Sequence, residues 1–135
     1  MSKLVFLCLV FLFTNLHAED VGKWNYILTL GGGADFYAAP SSLSIDKKNK
    51  TIKFLSLINE KSTKRLAKTN YRSWVIDYVV NCKSQTGIVR KLDWYSGEFG
   101  SGELVRSENS ETSSPLDPKR PVSNLAISLC HEYFK

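Results

Sequence analysis

The feature that most constrains this chain is a period of two. Between Tyr71 and Cys82, the residues Trp74, Ile76, Tyr78, Val80 and Cys82 fall on one side of an extended backbone, with Ser73, Asp77 and Asn81 on the other. Successive side chains of a strand point to opposite faces, so this pattern predicts a half-buried β-strand and fits no helix. The same pattern recurs. Trp24, Tyr26, Leu28 and Leu30 predict a first strand with one apolar face, broken by Gly31-Gly32-Gly33, because three glycines lose too much backbone entropy to stay in a ladder. Residues 35–39 predict a short strand that stops at Pro40, which has no ladder donor. A polar hairpin turn over Lys47 to Lys50 leads into a run from Thr51 to Asn59 that holds Ile52, Phe54, Leu55, Leu57 and Ile58. Gly87 to Tyr95 reads as the antiparallel partner of residues 71–82, with Ile88, Leu92 and Trp94 inward and Lys83 to Thr86 as the turn.

Two stretches depart from alternation. Residues 60–72 hold few apolar groups and five cations, Lys61, Lys64, Arg65, Lys68 and Arg72, and read as a long exposed loop. Residues 107–121 are rich in Ser, Glu and Pro, have little to bury and read as a second loop after a short run from Leu104 to Ser107. Pro121 suits the first turn of a helix, and beyond it Val122, Leu125, Ala126, Leu129 and Cys130 recur at spacings of three and four. A helix of about ten residues fits, and so short a helix needs tertiary packing to persist. The fold class is therefore α+β: an antiparallel sheet of about five to six strands with one C-terminal helix packed on one face. Open sheets have edges that need cover, so a homodimer is a further expectation.

The amino end has a different character. Residues 4–16 form an uncharged apolar run behind Lys3 and ahead of Glu19 and Asp20. About thirteen residues is too short for the roughly 20 that span a bilayer as a helix, so the run predicts a cleaved secretory leader over residues 1–18, with the cut after Ala18. A single domain over residues 19–135 remains, with no further run long enough for a transmembrane helix. Among charged side chains the leader takes only Lys3, leaving 17 basic against 13 acidic groups, a formal charge of +4. Two of three cysteines remain, Cys82 and Cys130, in a chain bound for an oxidising compartment. Their pairing would close a loop of about 49 residues, which chain entropy values at about 4 kcal/mol. Two buried thiols or an intermolecular bridge are the alternatives.

Catalysis has few candidates. One histidine follows the leader, His131, so neither a histidine metal cluster nor a histidine relay is available, and bridged cysteines supply no nucleophile. Only the carboxylates Asp77, Asp93, Glu98 and Glu103 remain for a hydrolase, and alternation puts Asp77 and Asp93 on the wetter face. The chain is expected not to be an enzyme, with no cofactor and no metal. The glycines of residues 97–102 run G-x-x-G-x-G, but no Lys-Ser/Thr pair follows and the flanks read as strands. They predict a hairpin loop needing positive φ, with no phosphate site. Nucleic acid fits poorly despite the pI near 9.1, because aromatic residues are not interleaved with the cations.

The order of these features resembles the surface-adhesin protein E family of Gram-negative bacteria. The resemblance rests on the early tryptophan strand (24–30), the glycine turn into FYAAPSSLSI (36–45), the strand YVVNC (78–82), and above all WYSGEFGSGE (94–103), followed by a Pro-containing loop and a helix ending at Cys130. It implies a six-stranded antiparallel sheet with a C-terminal helix and a disulfide. It also implies display at the cell surface and adhesion to host extracellular proteins such as vitronectin and laminin. This chain departs from the pattern in lacking an evident lipoprotein signal, since Cys8 follows Leu7 where a small residue is wanted.

The functional reading is an exported, non-enzymatic binding domain that makes contact with a protein partner, such as a host matrix protein, from the periplasm or the outer surface. The cations Lys61, Lys64, Arg65, Lys68 and Arg72 are the expected contact residues, drawing an acidic partner by Coulomb attraction that salt weakens. Tyr95, Glu98, Phe99 and Glu103 would make the loop at 96–103 a second contact edge. The alternative is a periplasmic accessory protein, an enzyme inhibitor or an envelope-assembly factor, that works through a protruding 96–103 loop.

Overall fold

The computed structural model describes residues 23–134, so the leader read over residues 1–18 and its cleavage point lie outside the described residues. Seven strands form one antiparallel sheet: β1 (Asn25–Thr29), β2 (Asp35–Asp46), β3 (Thr51–Leu66), β4 (Thr69–Asn81), β5 (Thr86–Tyr95), β6 (Leu104–Asn109) and β7 (Ser113–Pro115). The first six follow one another across the sheet in chain order, as short connections favour, and β7 lies beside β5. β6 pairs with Lys91–Tyr95 and β7 with Thr86–Ile88, so the two divide one edge of β5 between them. Residues 107–121 are thus only partly a loop.

Helix α1 (Pro121–Tyr133) follows, three residues longer than its apolar spacing predicts, with Pro121 in the first turn where a missing amide costs nothing. Its Ala126 and Cys130 are buried in the main core with Phe36, Ile52, Phe54, Ile58, Ile76, Tyr78 and Val80, and Val122, Leu125 and Leu129 pack around them. The even-numbered residues of β3 and β4 therefore face the helix. Cys82, just past β4, is bonded to Cys130 with S–S 2.05 Å and Cα–Cα 5.4 Å, which ties the last turn of α1 to the sheet. Thus the expected disulfide, helix and antiparallel sheet are all present.

The opposite face carries a second, smaller cluster. Trp24, Ala39 and Leu57 are buried there, with Tyr37, Leu55, Val75 and Phe99 packed against them. The centre of the sheet is apolar on both sides, which explains why Leu55 and Leu57 interrupt the alternation of β3.

Three bulges correct the predicted strands. In β1 the register slips between Tyr26 and Leu28, so Trp24 packs on the helix-free face while Leu30 joins the core under the helix, and the four residues predicted to share a face do not. In β5, Asp77 pairs with Lys91 but Tyr78 with Val89, so Arg90 is the extra residue. That slip puts Val89 in the core in place of Ile88, because one added residue inverts every side chain beyond it. In β2 the strand does not stop at Pro40. The pairing jumps from Ala39–Leu55 to Ser44–Lys53, and the Ser42 hydroxyl donates to Ala39 O (2.6 Å) while accepting Leu55 N–H (2.8 Å), which satisfies groups the proline region leaves unpaired.

Candidate functional site

The structure places the predicted contact residues on two surfaces. The first is the outer half of β3 and β4. Residues 60–72 are not a loop: Lys64 pairs with Tyr71, Arg65 with Asn70 and Leu66 with Thr69, and Ala67, at φ 54°, turns the chain with Lys68. β2 accompanies β3 only as far as Asn59 and β5 accompanies β4 only as far as Ser73, so this hairpin extends beyond its neighbours as a two-stranded arm. A strand pair with no face to bury can be polar on both sides, which is why its sequence lacks the apolar alternation that marks the other strands. Lys64, Arg65 and Lys68 are exposed on it and Lys61 is exposed in the bulge at its base, and none is in an ion pair among the described residues.

Arg72 differs from the other four cations. Its Nε donates to Glu60 O (2.7 Å), and its Nη2 donates to Lys61 O (2.9 Å) and to Glu98 Oε1 (2.9 Å). The guanidinium thus fastens the bulge between Asn59 and Lys64 to the loop after β5, and acts as a buckle at the base of the arm.

That loop, residues 96–103, is the second part of the site, and it does not protrude. It folds back over the helix-free face in a single 3-10 turn, Glu98–Gly100. Phe99 lies against the Trp24 cluster, its ring 5.3 Å from that of Tyr37 and edge-on to it. Its backbone is left-handed, with φ 57°, a conformation that costs an L-residue about 1–2 kcal/mol. Two buried polar side chains hold it there. Asn59 Oδ1 accepts the Phe99 amide (2.9 Å), while Ser73 Oγ accepts the Gly100 amide (2.8 Å) and donates to Gly97 O (2.6 Å). Gly100 and Gly102, at φ 72° and 78°, supply the positive φ that the glycine spacing predicts. Of the four loop-edge residues, Phe99 is a packing residue, Glu98 is tied to Arg72, Glu103 is exposed and Tyr95 is half-buried beside the loop.

Between this loop and the sheet runs a groove of about 260 Å³. Its lining mixes apolar residues, Trp24, Leu55, Val75 and Phe99, with polar ones, Asp77, Lys91, Asp93 and Tyr95. Asp93 is engaged: its Oδ1 accepts from Ser107 Oγ (2.6 Å) and its Oδ2 lies 3.4 Å from Lys91 Nζ. Burial, then the Asp93 carboxylate, hold the Tyr95 phenol above its usual pKa, with Lys91 pulling the other way. Burial, then Asp35, raise that of Tyr37. Among the described residues no three His, Cys, Asp or Glu side chains converge into a metal-sized cluster.

Sequence reasoning singled out the cations and the glycine loop but not the groove. Leu55, Val75, Asp77, Lys91, Asp93 and Tyr95 lie in phase on neighbouring strands, so the alternation carried the signal, yet the Arg90 bulge hid the register that brings them together. Asn59 and Ser73, which hold the loop, look like ordinary solvent-facing positions until the loop covers them.

Among the described residues, a sheet with a helix pinned to it by a disulfide, a cationic arm and a mixed groove define a small binding domain that presents contact surfaces on a β scaffold. The chain belongs to the surface-adhesin protein E family, whose model matches residues 24–131. Two solved structures of Haemophilus influenzae protein E share its fold. One, a second crystal form, is 21% identical with a TM-score of 0.63 and covers 82% of this chain and 90% of its own. Protein E from a non-typeable strain is 19% identical with a TM-score of 0.60, covering 80% of this chain and 76% of its own. No curated protein sequence matches the chain. Membership makes this a surface-adhesin-like binding protein, exported or surface-located, and no helix among the described residues is long and apolar enough to cross a membrane.

Proposed function

We propose that the protein adheres to acidic patches of extracellular host proteins through the β3–β4 arm, by contact and without chemistry. The supporting observation is the arm itself: Lys64, Arg65 and Lys68 stand on a hairpin beyond its sheet neighbours and Lys61 in the bulge at its base, with no carboxylate neutralising any of the four among the described residues. Unpaired charges of one sign steer an oppositely charged partner and raise its rate of encounter, and salt screens the effect over about 8–10 Å. In this reading Arg72 positions the arm and does not touch the partner. The fold favours contact over loop insertion, because the 96–103 loop is fastened down along its length.

The test is equilibrium binding to immobilised laminin and vitronectin, the partners the family resemblance implies. A variant with Lys61, Lys64, Arg65 and Lys68 all changed to alanine is compared with the wild type at low and physiological salt. The proposal expects wild-type binding to weaken steeply with salt and the variant to bind weakly at both. Equal binding by the two proteins, or binding insensitive to salt, overturns it.

A further inference from the structure

We propose that the groove on the helix-free face binds one neutral saccharide ring, an N-acetylated hexosamine by preference, at a site separate from the cationic arm. The charges around the groove balance: Lys23 and Lys91 against Asp77 and Asp93. A cation would find one of its two carboxylates already taken, since Lys91 and Ser107 occupy Asp93. An anion would face Asp77. Lying across β4–β5 from Lys91, Asp77 has no hydrogen bond or ion pair among the described residues, so its carboxylate is an open acceptor in the lining of the groove. A carboxylate can only accept, and its best neutral partners are hydroxyl groups, which it binds at about 2.5–2.7 Å. A sugar carries several such donors on one ring.

The rest of the groove fits the other side of that ring. Leu55, which pairs with Asp77 across β3–β4, supplies apolar lining together with Val75 and Phe99, suited to the C–H face of a pyranose and to an acetamido methyl group, and Tyr95 also lines the groove. About 260 Å³ holds one substituted pyranose ring and is below the roughly 300–1,000 Å³ of sites for larger ligands. Phe99 is already set in place, since Asn59 holds its own amide and Ser73 holds that of Gly100, so little ordering is left for binding to offset. A ring of about 15 non-hydrogen atoms at ordinary efficiency then binds in the millimolar range, as expected of one weak unit within a multivalent glycan.

The experiment is an amide NMR titration of the protein with N-acetylglucosamine, then with its β1-4-linked dimer, as in cell-wall glycan, and with N-acetyllactosamine, as in host glycans. The proposal predicts saturable shifts confined to residues 75–77, 91–95 and 99–101, and stronger binding than glucose. Asp77→Ala should weaken binding about tenfold or more while preserving the spectrum elsewhere, and Asp77→Asn should weaken it less. The variant lacking the four arm cations should bind as the wild type does, which separates this site from the arm. The tighter of the two disaccharides then names the source of the glycan. The proposal is overturned by the absence of saturable shifts at about 50 mM sugar, well above the expected dissociation constant. Shifts mapping to the arm, an Asp77→Ala protein that binds like the wild type, or a lysine amide outcompeting the sugars would also overturn it.

Discussion

Ser73→Ala is the substitution that most sharply examines how the loop at 96–103 is held. Ser73 is fully buried, and its one hydroxyl serves two backbone groups, donating to Gly97 O and accepting from Gly100 N–H. Alanine fits the space but leaves a carbonyl and an amide without partners under the loop. A lost internal hydrogen bond costs about 1 kcal/mol, and a stranded buried group costs more, so the pair sums to about 2–3 kcal/mol. That is a large part of the 5–15 kcal/mol typical of a domain, and at about 4 °C per kcal/mol it lowers Tm by about 8–12 °C. Urea unfolding reads the free energy, and hydrogen exchange at the Gly100 amide reads the site. A midpoint shift with unchanged m, together with lost protection at Gly100, is the expected outcome. Asn59→Ala, which frees the Phe99 amide, should be non-additive with Ser73→Ala, because both hold the same turn and the second loss falls on a loop already released. A cost below about 0.5 kcal/mol, the range of an ordinary surface change, with Gly100 still protected, would refute the reasoning.

Other consequences can be measured on the same protein. At Gly87 an added Cβ would sit 1.7 Å from the Tyr78 hydroxyl, so Gly87→Ala should cost about 1–3 kcal/mol by overpacking, and Tyr78→Leu in the same chain should recover part of it in a urea titration. Burial is the main cause that raises the phenols of Tyr37, Tyr71, Tyr78 and Tyr95 above 10.0. The folded state therefore keeps protons that the unfolded chain releases near pH 10. The tyrosines' contribution to stability should be constant below that pH and be lost as pH rises through the folded values, and Tyr78→Phe should lessen the fall of Tm between pH 9 and 11. Replacing Cys82 and Cys130 with serine opens a loop of sequence separation 48 and should lower stability by up to about 4 kcal/mol, with the sheet retained by circular dichroism.

Legibility followed burial. β4 was plain because each even residue from Trp74 to Val80 faces the same core, and α1 was plain because Val122, Leu125, Ala126, Leu129 and Cys130 form one stripe against that core. The arm was misread as a loop because a hairpin exposed on both sides needs no apolar period. The faces of β1 and β5 were misassigned because nothing in the composition of Ile27 or Arg90 announces a bulge. Bulges are settled by which residues find partners across the sheet, and that is tertiary information. The glycine loop gave its turn but not its position, since Asn59 and Ser73 lie far from it in sequence and declare their role only when the amides of Phe99 and Gly100 reach them.

The account turns on an arm presented to partners outside the cell. Trypsin cleaves after lysine and arginine, and the turn at Ala67–Lys68 offers it exposed sites. Treating intact cells with trypsin and following the protein by mass spectrometry tests that presentation directly. The account predicts fragments ending at Lys64, Arg65 or Lys68 from intact cells, with the variant lacking the arm cations left uncut there. Protection in intact cells, with cleavage appearing only once the outer membrane is permeabilised, would contradict it.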